Sequence, residues 1–276
     1  MRALVLGGGG LKAFWLAGRV QWLAESGYET PDVIIGTSAG ALVGSYLSSR
    51  LLAGQPFKVA AQELVDFMQK IKQSSDIARK RSVFELALDL YKGRWHGLYD
   101  LTPLQSLIGV KNYRVEDLVV VCDLQTHQVA SIYMSPSYVL ASVCEPILAR
   151  PVLNSLVDGG LREILPIGQA IDMGAIHITA LCTQAPGMGP VKLGPMSLFE
   201  QITSTIGCFT SEILDNDLAL TLAYNQLVVA GRPAKPHHRL IELIVHRADK
   251  HYTATYAKFT KDDVDTMLKD GRWPEK

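Results

Sequence analysis

Residues 32–42 read DVIIGTSAGAL, and the fold turns on them. The apolar run after Asp32 predicts a short strand, Gly36-Thr37-Ser38-Ala39-Gly40 a sharp turn, and the residues from Ala41 a helix running to about Ala53. Ser38 sits at the tip of that turn. Gly36 and Gly40 flank it at i−2 and i+2, where a Cβ would crowd a tight strand-to-helix turn with strained dihedrals. The hydroxyl would then stand at the strand's end, near the positive pole of the following helix. A plain tight turn is the competing reading, because small-residue turns after strands are common.

Two other stretches bear on that choice. Residues 2–6 are an apolar strand leading into Gly7, Gly8, Gly9, Gly10, Leu11, Lys12 and Ala13, after which Phe14, Leu16, Ala17, Val20 and Leu23 open a helical pattern. Successive glycines at a helix start leave amide N–H groups uncovered, which makes an anion cradle. A dinucleotide site would use it as GxGxxA, with Asp32 as the downstream acid. A hydrolase would use it as donors for a tetrahedral oxyanion beside the serine. GTSAG on the next turn has no purpose in a nucleotide site, which favours the hydrolase and keeps a nucleotide-binding Rossmann-like module as the alternative. Residues 156–160, LVDGG, place Asp158 between a short apolar strand and two glycines, Gly159 and Gly160, with its carboxylate free to reach a neighbour. Alone, that sequence describes a surface Asp-Gly turn equally well.

In register, GGGGLKA, GTSAG and DGG resemble the patatin-like phospholipase family. Residues 141–146, ASVCEP, are similar to the stretch that precedes the family's DGG; residues 120–133 resemble its mid-domain strand pair and residues 259–271 its closing helix. The resemblance implies an α/β three-layer sandwich with a central, mainly parallel sheet and helices on both faces. It implies lipid acyl hydrolysis with Ser38 as nucleophile, Asp158 as its base, and Gly8, Gly9 and Gly10 as the oxyanion hole, without metal or cofactor. Three departures stand out. Lys12-Ala13 replaces the family's Arg-Gly, residues 162–166 lack the usual Asn after DGG, and Cys144 stands where a small Ala is usual. They leave room for a catalytically weak, lipid-binding relative.

A serine hydroxyl needs a base within hydrogen-bond reach. A carboxylate with a pKa of about 4 is a poor acceptor at neutral pH, but burial raises that value. A histidine triad is the rival arrangement: His177, His237, His238, His246 and His251 all follow Asp158 in the required order, and none lies in a recognisable motif. His177 reads as a strand residue, and the 237–238 pair as solvated loop.

The 276 residues carry 27 basic and 27 acidic side chains, a balance that disfavours nucleic acid as a partner. No stretch approaches the roughly 18 apolar residues of a membrane span, and residues 1–10 do not read as a signal peptide. Four widely spaced cysteines form no metal pattern, and Cys122 and Cys182 in apolar runs predict buried thiols. These features place the chain in the cytoplasm, with peripheral contact at membranes where a lipid or membrane-surface ester is the substrate. Its oligomeric state is not encoded in any motif.

Residues 1–276 read as one patatin-like domain with a mostly helical insertion at about 57–110. Within it, residues 70–81 carry five basic side chains against one acid and read as a solvated helix end or a headgroup-facing patch. Tyr91, Trp95 and Tyr99, with Gly93 and Gly97, suit either a lid or core filling. Thr102-Pro103 reads as a cap and first helical position. Asp123, ending an apolar strand, reads as structural. Residues 185–195 read as a mobile Gly/Pro loop near the site, residues 198–229 as a long helix, and residues 260–263 as a capping box.

Overall fold

The computed structural model describes residues 1–109, 111–186, 198–235, 238–252 and 258–272. Strands β1 (Arg2–Leu6) and β2 (Val33–Thr37) pair in parallel, Ala3 opposite Val33 and Leu6 opposite Gly36. Two short strands, β3 (Arg79–Lys80) and β4 (Tyr99–Asp100), form a separate ribbon. The main sheet is completed by β5 (Leu118–Asp123), β6 (Gln128–Tyr133), β7 (Leu156–Asp158), β8 (His177–Cys182) and β9 (Glu242–Arg247), in the order β6-β5-β2-β1-β8-β9. β1, β2, β5, β8 and β9 run parallel, while β6 and β7 pair antiparallel with β5.

Helices cover both faces, the three-layer α/β arrangement expected. Side chains of successive strand residues point to opposite faces. Leu4, Leu6 and Ile34 pack into one core with α1 (Ala13–Glu25), α2 (Ala39–Leu52), α3 (Phe57–Met68) and α9 (Lys261–Arg272). Ala3, Val5, Val33 and Ile35 pack into the other, with α7 (Ile167–Asp172) and Leu214 of α8 (Leu198–Val229). Both runs of β1 and β2 are thus buried on two sides, which is why they read as continuously apolar.

The connection from α3 to β5 carries α4 (Val83–Tyr91) and α5 (Thr102–Ile108), and α6 (Pro136–Ser142) follows β6. Residues 70–81 are not a helix end. α3 stops at Met68, a 3-10 turn spans Ser74–Asp76, and β3 follows. Arg79 pairs with Glu85 and Asp100, and Arg81 with Asp89, so two of the five cations are committed internally. Nor do the three aromatics cluster: Tyr99 is buried in the core, whereas Tyr91 is 89% exposed. Thr102 is the first helical residue rather than the cap; Asp100 accepts from its N–H at 2.9 Å and from its hydroxyl at 2.6 Å. The capping box at α9 is present, with Thr260 N–H donating to Asp263 at 2.8 Å and Asp263 N–H to the Thr260 hydroxyl at 3.3 Å. Residues 187–195 of the expected Gly/Pro loop lie outside the described residues. No helix among the described residues is long and apolar enough to cross a membrane.

Candidate active site

The site is assembled along one edge of β5. β2 pairs with the first half of that edge, ending with Thr37 opposite Val120. β7 takes over the second half, starting with Asp158 opposite Val121. Thr37 and Asp158, 121 apart in sequence, therefore face consecutive positions of one strand, and the turns leaving β2 and β7, the first of them carrying Ser38, open into the same cavity.

Ser38 holds φ 53°, ψ −117°, a left-handed backbone that costs on the order of 1–3 kcal/mol. Tight packing sustains it. A Cβ on Gly36 would lie 2.4 Å from the Gly40 carbonyl oxygen, and one on Gly40 only 2.0 Å from that of Leu6. Ser142, at the end of α6, completes the support: its Oγ accepts from the Ser38 N–H at 2.9 Å and donates to the Val120 carbonyl at 2.6 Å.

Asp158 is buried. Its N–H donates to the Cys144 carbonyl at 3.0 Å, and its carboxylate accepts from the Gly160 N–H at 2.7 Å. Burial pushes its pKa up to about 6, while the Ser38 hydroxyl within hydrogen-bonding reach and the Gly160 amide pull it back down. Glu145 lines the same cavity, and burial together with the Asp158 charge raises it to about 7. Lys12 also lines it, with its pKa lowered by burial and no carboxylate partner among the described residues.

The glycine loop follows β1 and borders the cavity at Gly8, Gly9 and Gly10. Its three amides are not equivalent. The Gly8 N–H donates to the Ile164 carbonyl at 3.0 Å, so Gly8 is an anchor rather than the oxyanion donor expected of it. No such bond engages the Gly9 or Gly10 N–H among the described residues. The buried Thr183 hydroxyl donates to the Gly8 carbonyl and holds the peptide plane from the other side.

The rival readings meet direct obstacles. Asp32 precedes β2, a strand's length (about 17 Å at 3.3 Å per residue) from the glycine loop at the far end of β1, and it accepts from the Arg2 N–H at 2.6 Å. An acid serving a nucleotide ribose would have to be at the loop's end of the sheet. His177 pairs with Glu242 at the start of β8, and His246 packs edge-on against Trp22. The His238 side chain is buried beneath Tyr224 beside Asp172, not solvated as its loop suggested; His237 lies outside the described residues. Among the described residues, no histidine borders the cavity. Asp123 has a turn role, accepting from the Gln125 N–H at 2.8 Å. No group of side chains suited to a metal ion occurs among the described residues.

A family model for patatin-like phospholipases matches residues 4–171, more than half of the chain. The chain belongs to the patatin-like phospholipase family. Among solved structures, that of VipD from Legionella pneumophila aligns with a TM-score of 0.45 and 13% identity, over 98% of this chain and 65% of VipD, so the chain spans less than two thirds of that protein's length. No curated protein matches.

For a patatin-like chain, two of the three departures are structurally mild. Ala13 begins α1, borders an adjoining apolar cavity and does not line the one at Ser38. The Cys144 side chain is buried, and its carbonyl accepts from the Asp158 N–H. Where the Asn is missing, Asp217 of α8 accepts from the Ile164 and Leu165 N–H groups at 3.0 and 2.9 Å and fixes the loop that anchors Gly8. Ser142, Thr183 and Asp217 escaped the sequence reading as supports of the site. Ser142 alone lay in a recognised stretch, ASVCEP, and its side-chain partners are strands distant in sequence.

Proposed function

We propose that this chain hydrolyses acyl esters of lipids, in the manner of a phospholipase A or lysophospholipase, through Ser38 and Asp158. The observation that carries the reading is the convergence of a strained serine and a buried carboxylate, within hydrogen-bonding reach, in one cavity. Ser38 Oγ attacks the ester carbonyl carbon as its proton passes to Asp158. The carbonyl oxygen becomes an oxyanion facing the Gly9 and Gly10 amides, preorganised donors of the kind that supply the largest single share of rate enhancement. Asp158 then returns the proton to the departing alcohol oxygen, leaving an acyl-serine. Water, losing its proton to Asp158, cleaves that ester, and the proton goes back to Ser38.

A pKa of about 6 suits the task. Asp158 remains mostly ionised at neutral pH yet is a stronger base than an ordinary carboxylate. The lipid character of the substrate is supported by the adjoining apolar cavity, which shares Gly10 and Leu11 with the site and is walled by Phe14, Leu42, Phe67 and Met68. An acyl chain extending past Leu11 would bury its methylenes there, each contributing roughly 0.8 kcal/mol.

A fluorophosphonate probe followed by peptide mass mapping tests the reading. The adduct is expected on Ser38 and absent in Ser38→Ala, which should also lose turnover of a short p-nitrophenyl ester. An unlabelled wild-type chain would point instead to a lipid-binding, non-catalytic relative.

A further inference from the structure

Helix α4 presents its polar seam to the protein and its apolar arc to the outside. At about 100° per residue, Val83, Phe84, Ala87, Leu88, Leu90 and Tyr91 fall on one broad arc, with Glu85 and Asp89 opposite. A surface helix in water normally shows the reverse arrangement. Here Asp89 is buried, 2.7 Å from Arg81 and 3.1 Å from His96, and Glu85 meets Arg79 at 2.9 Å. Ion pairs, rather than apolar packing, hold the helix to the body. On the outer arc Val83 is 83%, Phe84 77% and Leu90 66% exposed. Single exposed apolar side chains are ordinary, but a contiguous patch of them marks an interaction surface.

Charge identifies the partner. Lys80 precedes the helix, and Lys92 and Arg94 follow it; all three are exposed and have no carboxylate partner among the described residues. An apolar arc bordered by cations fits an anionic lipid surface. A second copy fits poorly, because a two-fold contact would set the same cations against one another. Tyr91 and Trp95, four positions apart and both exposed, are the side chains favoured at a membrane–water boundary. The patch also adjoins the reaction cavity. The Trp95 indole N–H donates to the Ile147 carbonyl at 3.3 Å, and Tyr99 N–H donates at 2.8 Å to that of Leu148, which lines the cavity at Ser38.

We infer that α4 is a membrane-docking element that inserts its outer face into an anionic lipid bilayer, with Lys80, Lys92 and Arg94 against headgroup phosphates. Its role in delivering substrate rests on the lipid-ester reading above; the docking itself does not require a working nucleophile.

Co-sedimentation of the full chain with vesicles tests this. Binding to phosphatidylcholine vesicles containing phosphatidylglycerol should exceed binding to pure phosphatidylcholine by about tenfold or more at low salt. The double substitution Phe84→Asp/Tyr91→Asp should abolish it, with turnover of a soluble p-nitrophenyl ester unchanged. Equal sedimentation of the variant and the wild type would overturn the assignment. So would a lipid-free dimer that the same variant splits, since the patch would then be a contact between copies. Ser38→Ala should sediment as the wild type does; ester turnover surviving in that variant would defeat the hydrolase reading alone. Should the double variant misfold, quenching of wild-type fluorescence by brominated lipid, lost in Trp95→Phe, supplies the same test, and an absence of quenching in the wild type would overturn the proposal.

Discussion

Asp158 carries two opposing demands, and both can be measured. Its pKa lies at about 6 in the fold, above the ordinary value of 3.8. The folded state therefore prefers the neutral acid, so ionisation costs stability. That cost is absent below about pH 4, grows as pH rises toward 6, and is complete above it. At two pH units of separation it amounts to about 3 kcal/mol. Asp158→Asn, which keeps an acceptor for the Gly160 N–H, is thus expected to be inactive yet more stable by up to about 3 kcal/mol at pH 7, with the gain vanishing at pH 4. Urea unfolding at the two pH values checks this. Under the proposed mechanism activity has the opposite dependence: kcat/KM should fall as pH drops through 6 and Asp158 takes up a proton. Glu145, at about 7 in the same cavity, adds a second negative charge as pH rises. The profile should bend downward on the alkaline side, and Glu145→Gln should flatten that limb while sparing the acid one.

At the scale of elements, the strand-turn-helix at Ser38 depends on backbones in contact. Gly40→Ala would drive a methyl into the Leu6 carbonyl, and we expect a loss of several kcal/mol (overpacking typically costs about 1–3, and here the obstacle is backbone), read as a lowered Tm. Ser142→Ala should retain the fold but leave the Ser38 N–H and the Val120 carbonyl without their partner. It is expected to cost about 2 kcal/mol and to lower kcat more than it raises KM, because Ser38, the proposed nucleophile, loses its placement. The elements themselves were largely legible. Apolar runs at 2–6, 156–158 and 177–182 are strands, and residues 198–229 are one helix, because local periodicity and flanking glycines act over a few residues. Residues 70–81 depart from the helix end expected of them for the same reason: Arg79 and Arg81 find their carboxylates on other elements, which charge spacing along one segment cannot show.

For the whole molecule, the matched family region ends inside α7, yet the sheet does not. β8 covers the free edge of β1, β9 covers β8, and α9 packs on α1. A chain truncated after residue 171 would expose the β1 edge and the apolar faces of α1. It is expected to lack a cooperative unfolding transition, as followed by circular dichroism, and to aggregate through that edge.

The sequence alone determined the strands that lead into the three motifs, the tight turn at Ser38 and the glycine loop, since each is set by steric limits on a few adjacent residues. Only tertiary structure decided that β2 and β7 share one edge of β5, that Gly8 gives its amide to Ile164, and that α4 turns its apolar side outward. Strand register, amide partners and helix orientation depend on which distant segment lies alongside, and no local pattern specifies that neighbour.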